Sequence, residues 1–326
     1  MMMRRVYSSA AAVREIPASR YISPLATPWV RIADEDFFPT KLTNASMRDL
    51  FRRTSYSVSD LKTQYCELRS FYELILSEPS VQTPAMVAGS DIHKTLELAT
   101  NVEWTTVPES AIQSVSDQWA VKFLQARDAL NQLRQMGVVR EGYVFGLLRG
   151  RLVTGYIDLL QVNDGEIQIT DTKTRLSNSL PPDSQQTSAY HQLLLYYQLL
   201  NYMRRPEGLR SILRYLKLNT SKQLSLQLTQ LTGFGTLEEV VESCEETFTN
   251  TLPVSLTLNV EYVGRANRPV ATVTYTYDDT IYQQLLNYSL ALWEGQRDPV
   301  GVSQEEVSKC KHCRMAPKCS WYNQLS

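Results

Sequence analysis

The alternation of hydrophobic and polar positions changes period several times along the chain, and the changes mark out its elements. The first stretch is polar and broken by Pro17, Pro24, Pro28 and Pro39, which predicts a flexible N-terminal segment over residues 1–54. Ser57-Val-Ser-Asp60 has capping-box spacing and predicts a helix from Ser57 to about Leu76, with Cys66 on it. After Pro79 and Pro84, a second helix is predicted from Ser90 to Ala99, with His93 and Glu97 on one face, and a third over residues 111–136. Beyond Gly137 the period falls to two. Residues 139–149, 151–161 and 166–173 predict three strands joined by turns at Gly150 and at Asn163-Asp-Gly165. Then follow a long helix from Ser184 to Met203, two strands near 211–219 and 223–229, an acidic helix near 236–250, a β-hairpin over 255–277 and a helix over 279–295. This order predicts an α/β fold, a mixed β-sheet flanked by helices, in one domain over residues 55–326.

Composition removes some classes of function. Hydrophobic residues make up 43% of the 326, enough for a sizeable core. No apolar run approaches the roughly 20 residues of a membrane helix, and the richest, Leu193–Leu200, is interrupted by Gln198. Net charge is -1, so any contact with nucleic acid must come from a local groove. Arg204, Arg205, Arg210, Arg214, Lys217 and Lys222 form a basic stretch, with Tyr215 among them. An acidic run follows at Glu238, Glu239, Glu242, Glu245 and Glu246. Both suit solvated faces as well as binding surfaces. Met1 to Pro28 holds four arginines, several Ser and Ala, and Glu15 as its one acid. That is the composition of a mitochondrial presequence and also of a plain disordered arm.

The candidate chemistry centres on Gly155-Tyr-Ile-Asp158 and Ile167-Gln-Ile-Thr-Asp171-Thr-Lys173. Strand alternation sets Ile167, Ile169, Asp171 and Lys173 on one face, so a face that begins in the core ends at charge. Asp158, on the neighbouring strand, can reach the same place. Two close carboxylates repel, and a divalent cation held by hard oxygens removes that repulsion. A surface salt bridge on a hairpin would produce the same pattern. The cysteines raise a second question. Cys66 stands alone, Cys310-x2-Cys313-x5-Cys319 closes the chain, and Cys244 lies apart. An odd count without a long apolar leader argues against a disulfide framework. Four thiolates suit a [4Fe–4S] cluster or tetrahedral zinc, in which His312 can replace one ligand. Unliganded thiols remain a third reading.

Taken in order, Gly89-Ser-Asp-Ile-His93, Asp158, Asp171-Thr-Lys173 and Gln192-Leu-Leu-Leu-Tyr196 resemble the motif series of the RecB-type PD-(D/E)XK nucleases. A lone early cysteine with C-x2-C-x5-C after the Q-x-x-x-Y helix is similar to their iron–sulfur members, the exonuclease V family among them. Val58-Ser-Asp-Leu61, Tyr65-Cys-Glu67, Tyr72 and Thr172-Lys-Thr-Arg175 carry the likeness further. It runs from about Ser55 to Trp321 and is thin between Thr220 and Pro299. The resemblance implies a PD-(D/E)XK, restriction-endonuclease-like core whose ends are tied by a [4Fe–4S] cluster on Cys66, Cys310, Cys313 and Cys319, with Cys244 a bystander. It implies Mg²⁺ or Mn²⁺ on His93, Asp158 and Asp171, with Lys173 as the catalytic lysine. Gln192 and Tyr196 would then position the strand. The second acid is Asp171 where many relatives carry Glu, one methylene longer. The implied activity is exonucleolytic hydrolysis of single-stranded DNA in replication, repair or mitochondrial genome maintenance. The implied type is the fungal mitochondrial one, with the matrix as location and the nucleus as alternative. Expected DNA contacts are Arg175, Arg214, Tyr215 and Lys217. A single-strand-binding protein is a further expected partner, no membrane is involved, and the chain acts as a monomer. Two alternatives stand beside this reading: an endonuclease of the same superfamily, and a non-catalytic nucleic-acid-binding iron–sulfur module. No G-x-x-x-x-G-K-[ST] motif accompanies it.

Overall fold

The computed structural model describes residues 46–51, 53–76, 89–90, 107–175, 177, 179–264 and 268–324. Described structure begins earlier than the sequence suggests. Helix α1 (Met47–Leu50) is capped by Ser46 and buries Met47, inside the segment read as flexible. The predicted helix from Ser57 is broken. Strand β1 (Tyr56–Ser57) leads into the one-turn helix α2 (Val58–Leu61), and α3 (Glu67–Leu76) begins only after a loop, so that Cys66 precedes it. The capping box is present: Asp60 N donates to Ser57 Oγ at 3.1 Å and Ser57 N to Asp60 Oδ2 at 2.7 Å. The predicted helix over 90–99, with His93, lies outside the described residues.

Helix α4 (Val115–Met136) ends at Gly137, whose φ of 72° is the left-handed geometry a glycine C-cap favours. Strands β2 (Val138–Leu148), β3 (Arg151–Asn163) and β4 (Glu166–Thr174) form the predicted antiparallel meander, and α5 (Asp183–Met203) follows. The next two elements correct the sequence reading. Residues read as strands form helices α6 (Gly208–Leu216) and α7 (Leu226–Thr232), and strand pairing there is one isolated bridge between Gln223 and Thr236. Helix α8 (Leu237–Thr249), strands β5 (Val254–Val263) and β6 (Pro269–Thr276), and helix α9 (Asp279–Trp293) match their predicted positions. The tail carries 3-10 turns at Gln304–His312 and Ala316–Lys318, then the short helix α10 (Ser320–Asn323).

The six strands make one mixed sheet. β3 pairs antiparallel with β2 along one edge, and β4 pairs parallel with β5, which pairs antiparallel with β6. Helices cover both faces. Phe145 of β2 packs against Trp119 and Phe123 of α4, while Tyr202 of α5 presses on its neighbour Gly146. Adjacent strand residues point to opposite faces, so α4 and α5 sandwich the sheet. The basic and acidic runs meet: Arg210 of α6 bonds Glu238 and Glu245 of α8 at 2.9 and 2.6 Å. Among the described residues, no helix is long and apolar enough to cross a membrane.

Candidate active site

The second edge of β3 is shared by two strands. β1 pairs with Val153 and Thr154, and β4 pairs from Leu159 onward. Between them the edge is open. The β3–β4 ladder stops at Leu159↔Thr170, and one further step of the same register sets Asp158 across from Asp171. Beyond that point β4 leaves β3 and stays bonded to β5 through Thr174. The two aspartates therefore stand in a fork of the sheet. Thr172 N, freed from the ladder, donates to Asp158 Oδ2 at 2.7 Å. On the other edge, Glu141 faces Asp158 where the β2–β3 ladder skips a pair, with a left-handed φ of 52°. That strain sits beside the fork.

Asp171 is 0% exposed, and among the described residues its carboxylate oxygens have no hydrogen-bond partner. Lys173 Nζ lies 2.7 Å from Oδ2, an ion-pair distance. Burial alone would lower the Lys173 pKa. The carboxylates of Asp171 and Asp158 outweigh it, so the ammonium is held above its ordinary value. Lys173 also donates to Gln192 Oε1 at 3.1 Å, and Gln192 Nε2 donates to the Tyr196 hydroxyl at 3.0 Å. Burial, then the charges of Asp158 and Asp171, push the Tyr196 pKa well up, so its phenol stays neutral. Asp158, Asp171, Lys173, Gln192 and Tyr196 thus form one constellation.

The structure adds Lys62, which the sequence reading missed. Its Nζ donates to the same Gln192 Oε1, at 3.0 Å. No spacing rule points to it; the Lys62-Thr-Gln-Tyr-Cys66 loop is set on α5 by tertiary contacts. Thr63 Oγ1 lies 2.6 Å from His191 Nδ1, and Ser188 Oγ donates to Thr63 O at 2.7 Å. Of the expected DNA contacts, Arg175 follows β4 directly and bonds Gln185 and Ser179 O. The other three belong to α6 and its C-terminal cap. There Arg214 pairs with Glu207, Tyr215 donates to Thr54 O, and Lys217 has a left-handed φ of 54°.

A fully buried carboxylate opposite a second carboxylate is a donor set that suits a hard cation. Among the described residues no three His, Cys, Asp or Glu side chains gather as a metal-holding group. The acids supply two, and His93, expected as the third ligand, lies outside the described residues. All five cysteines are free thiols. Burial, then the charges of Cys313, Cys319 and Cys310, raise the Cys66 pKa to about 11, yet no three of the cysteines gather closely enough to hold a metal. Cys244 is buried apart from them, and its Sγ lies 3.7 Å from Phe123 O.

The family model "Exonuclease V - a 5' deoxyribonuclease" matches residues 46–165, 161–232 and 225–322. A curated relative, Exonuclease V of Danio rerio, is 32% identical over 284 residues, covering 83% of this chain and 71% of the relative. Among solved structures, SSO0001 matches with a TM-score of 0.41 and 13% identity, over 83% of this chain and 87% of that one. A protein of Eubacterium rectale matches with a TM-score of 0.36 and 14% identity, over 85% and 94%. Structural likeness at that level says nothing about chemistry.

Proposed function

The chain is a nuclease of the exonuclease V family, and we propose that it is a divalent-metal-dependent exonuclease that degrades single-stranded DNA from a free end, the 5′ end by the family's description. The observation that carries this reading is Asp171, a fully buried carboxylate that has no hydrogen-bond partner among the described residues, set across the sheet fork from Asp158 and beside Lys173. Asp158, Asp171 and His93 would hold Mg²⁺ or Mn²⁺. Such a cation, when bound, activates water and stabilises charge on a phosphodiester.

The side chains of the chain itself do the positioning. Lys173 stays protonated between two carboxylates and offers its ammonium to the developing negative charge. Gln192 fixes where that ammonium sits, and Tyr196 fixes Gln192 from below. Because Gln192 Oε1 accepts from two ammonium groups, the amide has one workable orientation: an NH₂ group cannot accept.

Cys66, Cys310, Cys313 and Cys319 are proposed to hold a [4Fe–4S] cluster; their spacing along the chain and their free thiols support it. Arg175, Arg214, Tyr215 and Lys217 are proposed along the strand's path, with a single-strand-binding protein as a further partner of a monomeric enzyme. The arginine-rich start of the chain supports placement in the mitochondrial matrix.

The test is Asp171→Ala, assayed on end-labelled linear and circular single strands with Mg²⁺ and with EDTA. Loss of cleavage with strand binding retained is expected, because removing one anionic ligand should nearly empty a weak Mg²⁺ site. Near wild-type rates across a Mg²⁺ titration refute the assignment. Circular strands cut as fast as linear ones make the enzyme an endonuclease.

A further inference from the structure

Two ammonium groups share one amide oxygen in this site, and only one of them has a carboxylate. Lys173 pairs with Asp171, whereas among the described residues Lys62 makes no ion pair, and its hydrogen bond goes to the uncharged Gln192. A desolvated cation without an ion pair is costly, and the more distant charges of Asp171 and Asp158 offset that cost only in part. Burial, then the charge of Lys173, lowers the Lys62 pKa to about 8.

The chain holds Lys62 there rather than letting it swing into solvent. Lys62 is the C-terminal cap of α2, a helix of one turn fixed at both ends. The capping box closes the first end. At the other, Ser289 Oγ donates to Leu61 O at 2.6 Å and Trp293 Nε1 to Asp60 O at 3.1 Å. Thr63, the next residue, is tied to His191 and Ser188 of α5. A lysine with four rotatable bonds has been given a rigid base, a partly buried path and, among the described residues, one neutral hydrogen-bond partner.

We infer that Lys62 is a phosphate-binding residue of the active site. Its ammonium takes a non-bridging oxygen of one strand phosphate next to the scissile bond, and Gln192 is the shared arm that sets the spacing between Lys62 and Lys173. The inference rests on the nuclease reading of the same site. A phosphodiester carries one negative charge, and placed between two ammonium groups it relieves their repulsion, which the neutral amide cannot do. The competing role is structural: Lys62 would only buttress Gln192.

The two roles separate in a binding experiment on the full chain. Affinity for a short fluorescent single strand is measured in EDTA, where no cutting is expected, with one phosphate at a time replaced by a neutral methylphosphonate. Wild-type protein should lose affinity at several positions. Lys62→Gln should bind the unmodified strand about tenfold more weakly, as for one lost hydrogen bond to a charged group. Its salt slope should fall by about 0.7. One methylphosphonate position that costs the wild type should cost this variant nothing. Lys62→Arg, which keeps the charge, should keep the penalty at that position, and it carries the test if Lys62→Gln proves unstable. The inference is overturned if Lys62→Gln binds like wild type, if every position still carries its wild-type penalty, or if Lys62→Arg shows no penalty at any position next to the scissile bond. A wild-type chain that neither binds nor cuts single strands overturns the nuclease reading instead.

Discussion

Gly155 lies against Tyr196, the residue that holds Gln192, which makes Gly155→Ala a sharp probe of how the proposed site is positioned. A Cβ built there would stand 2.8 Å from Tyr196 Cε1 and 2.9 Å from Val58 Cγ2, closer than real Cβ atoms come. Both neighbours are buried in the core, Val58 on α2 and Tyr196 on α5, so neither can simply rotate into solvent. The added methyl must push α2 and α5 apart, and overpacking of this kind costs about 1–3 kcal/mol. A fall of several degrees in melting temperature is expected. The functional effect should exceed the loss of stability. Tyr196 holds Gln192, and Gln192 holds Lys62 and Lys173, so a displaced ring loosens two bonds to charged donors. Losing one such bond, at about 1.5 kcal/mol, is roughly tenfold in rate. The assay is single-turnover cleavage of an end-labelled strand at a temperature where the variant is fully folded. Val58→Ala added to Gly155→Ala removes one of the two clashes and should recover part of the rate. Wild-type rate and stability in Gly155→Ala would refute this account, and so would an unchanged defect after Val58→Ala.

Three further outcomes are expected. Cys313→Ser should lose iron, brown colour and strand affinity in protein purified anaerobically; zinc in place of iron and sulfide in the unmodified protein would reverse the cluster proposal. Arg175→Ala should lower the salt slope of strand binding by about 0.7, and Arg214→Ala with Lys217→Ala by about 1.4 if the strand crosses α6; an unchanged slope removes those residues from its path. Lys62 titrates near 8 in the folded chain against 10.5 ordinarily, so between those values the unfolded chain binds the extra proton. Its charged form therefore costs stability that returns as pH rises through the window. Lys62→Gln should gain on wild type in metal-free urea melts at pH 7, and the gain should fade toward pH 10; a flat difference would contradict the assigned pKa.

Much of the meander and of α5 was legible because tertiary context reinforces local pattern there. Alternation, the Gly150 and Asn163-Asp-Gly165 turns and the Asp171-x-Lys173 face agree on one answer, and the structure keeps it. The misread region shows how two periods can share residues. Tyr215, Lys217 and their neighbours alternate like a strand, yet Leu209, Ile212, Leu213 and Leu216 recur at helical spacing, and burial of Leu209, Ile212 and Leu213 decides for the helix. Leu224, Leu226 and Leu228 also alternate, but Ser225 caps a helix and leaves Leu226 74% exposed. Arg210 is another case: its run looked like a solvated basic face, and its partners lie 28 and 35 residues away on α8. Lys62 was invisible for the same reason, since its meaning comes from Gln192, 130 positions along the chain.

The clasp between α2 and α9 has a consequence for the order in which the molecule is made. Leu61 and Asp60 are held by Ser289 and Trp293, and Glu67 is gripped by Arg297 at 2.6 and 2.7 Å and by Val300 N at 3.0 Å, all more than 220 positions downstream. A chain emerging from the ribosome can build the meander and α5 long before these residues exist. It cannot seat α2, and so cannot bring Lys62 to Gln192, until about residue 300 is free to fold back. Asp158, Asp171 and Lys173 are thus laid down early, and Lys62 joins them late. Under the proposed function, a nascent or prematurely ended chain carries the two carboxylates and Lys173 but lacks the second cation that Lys62 brings to Gln192.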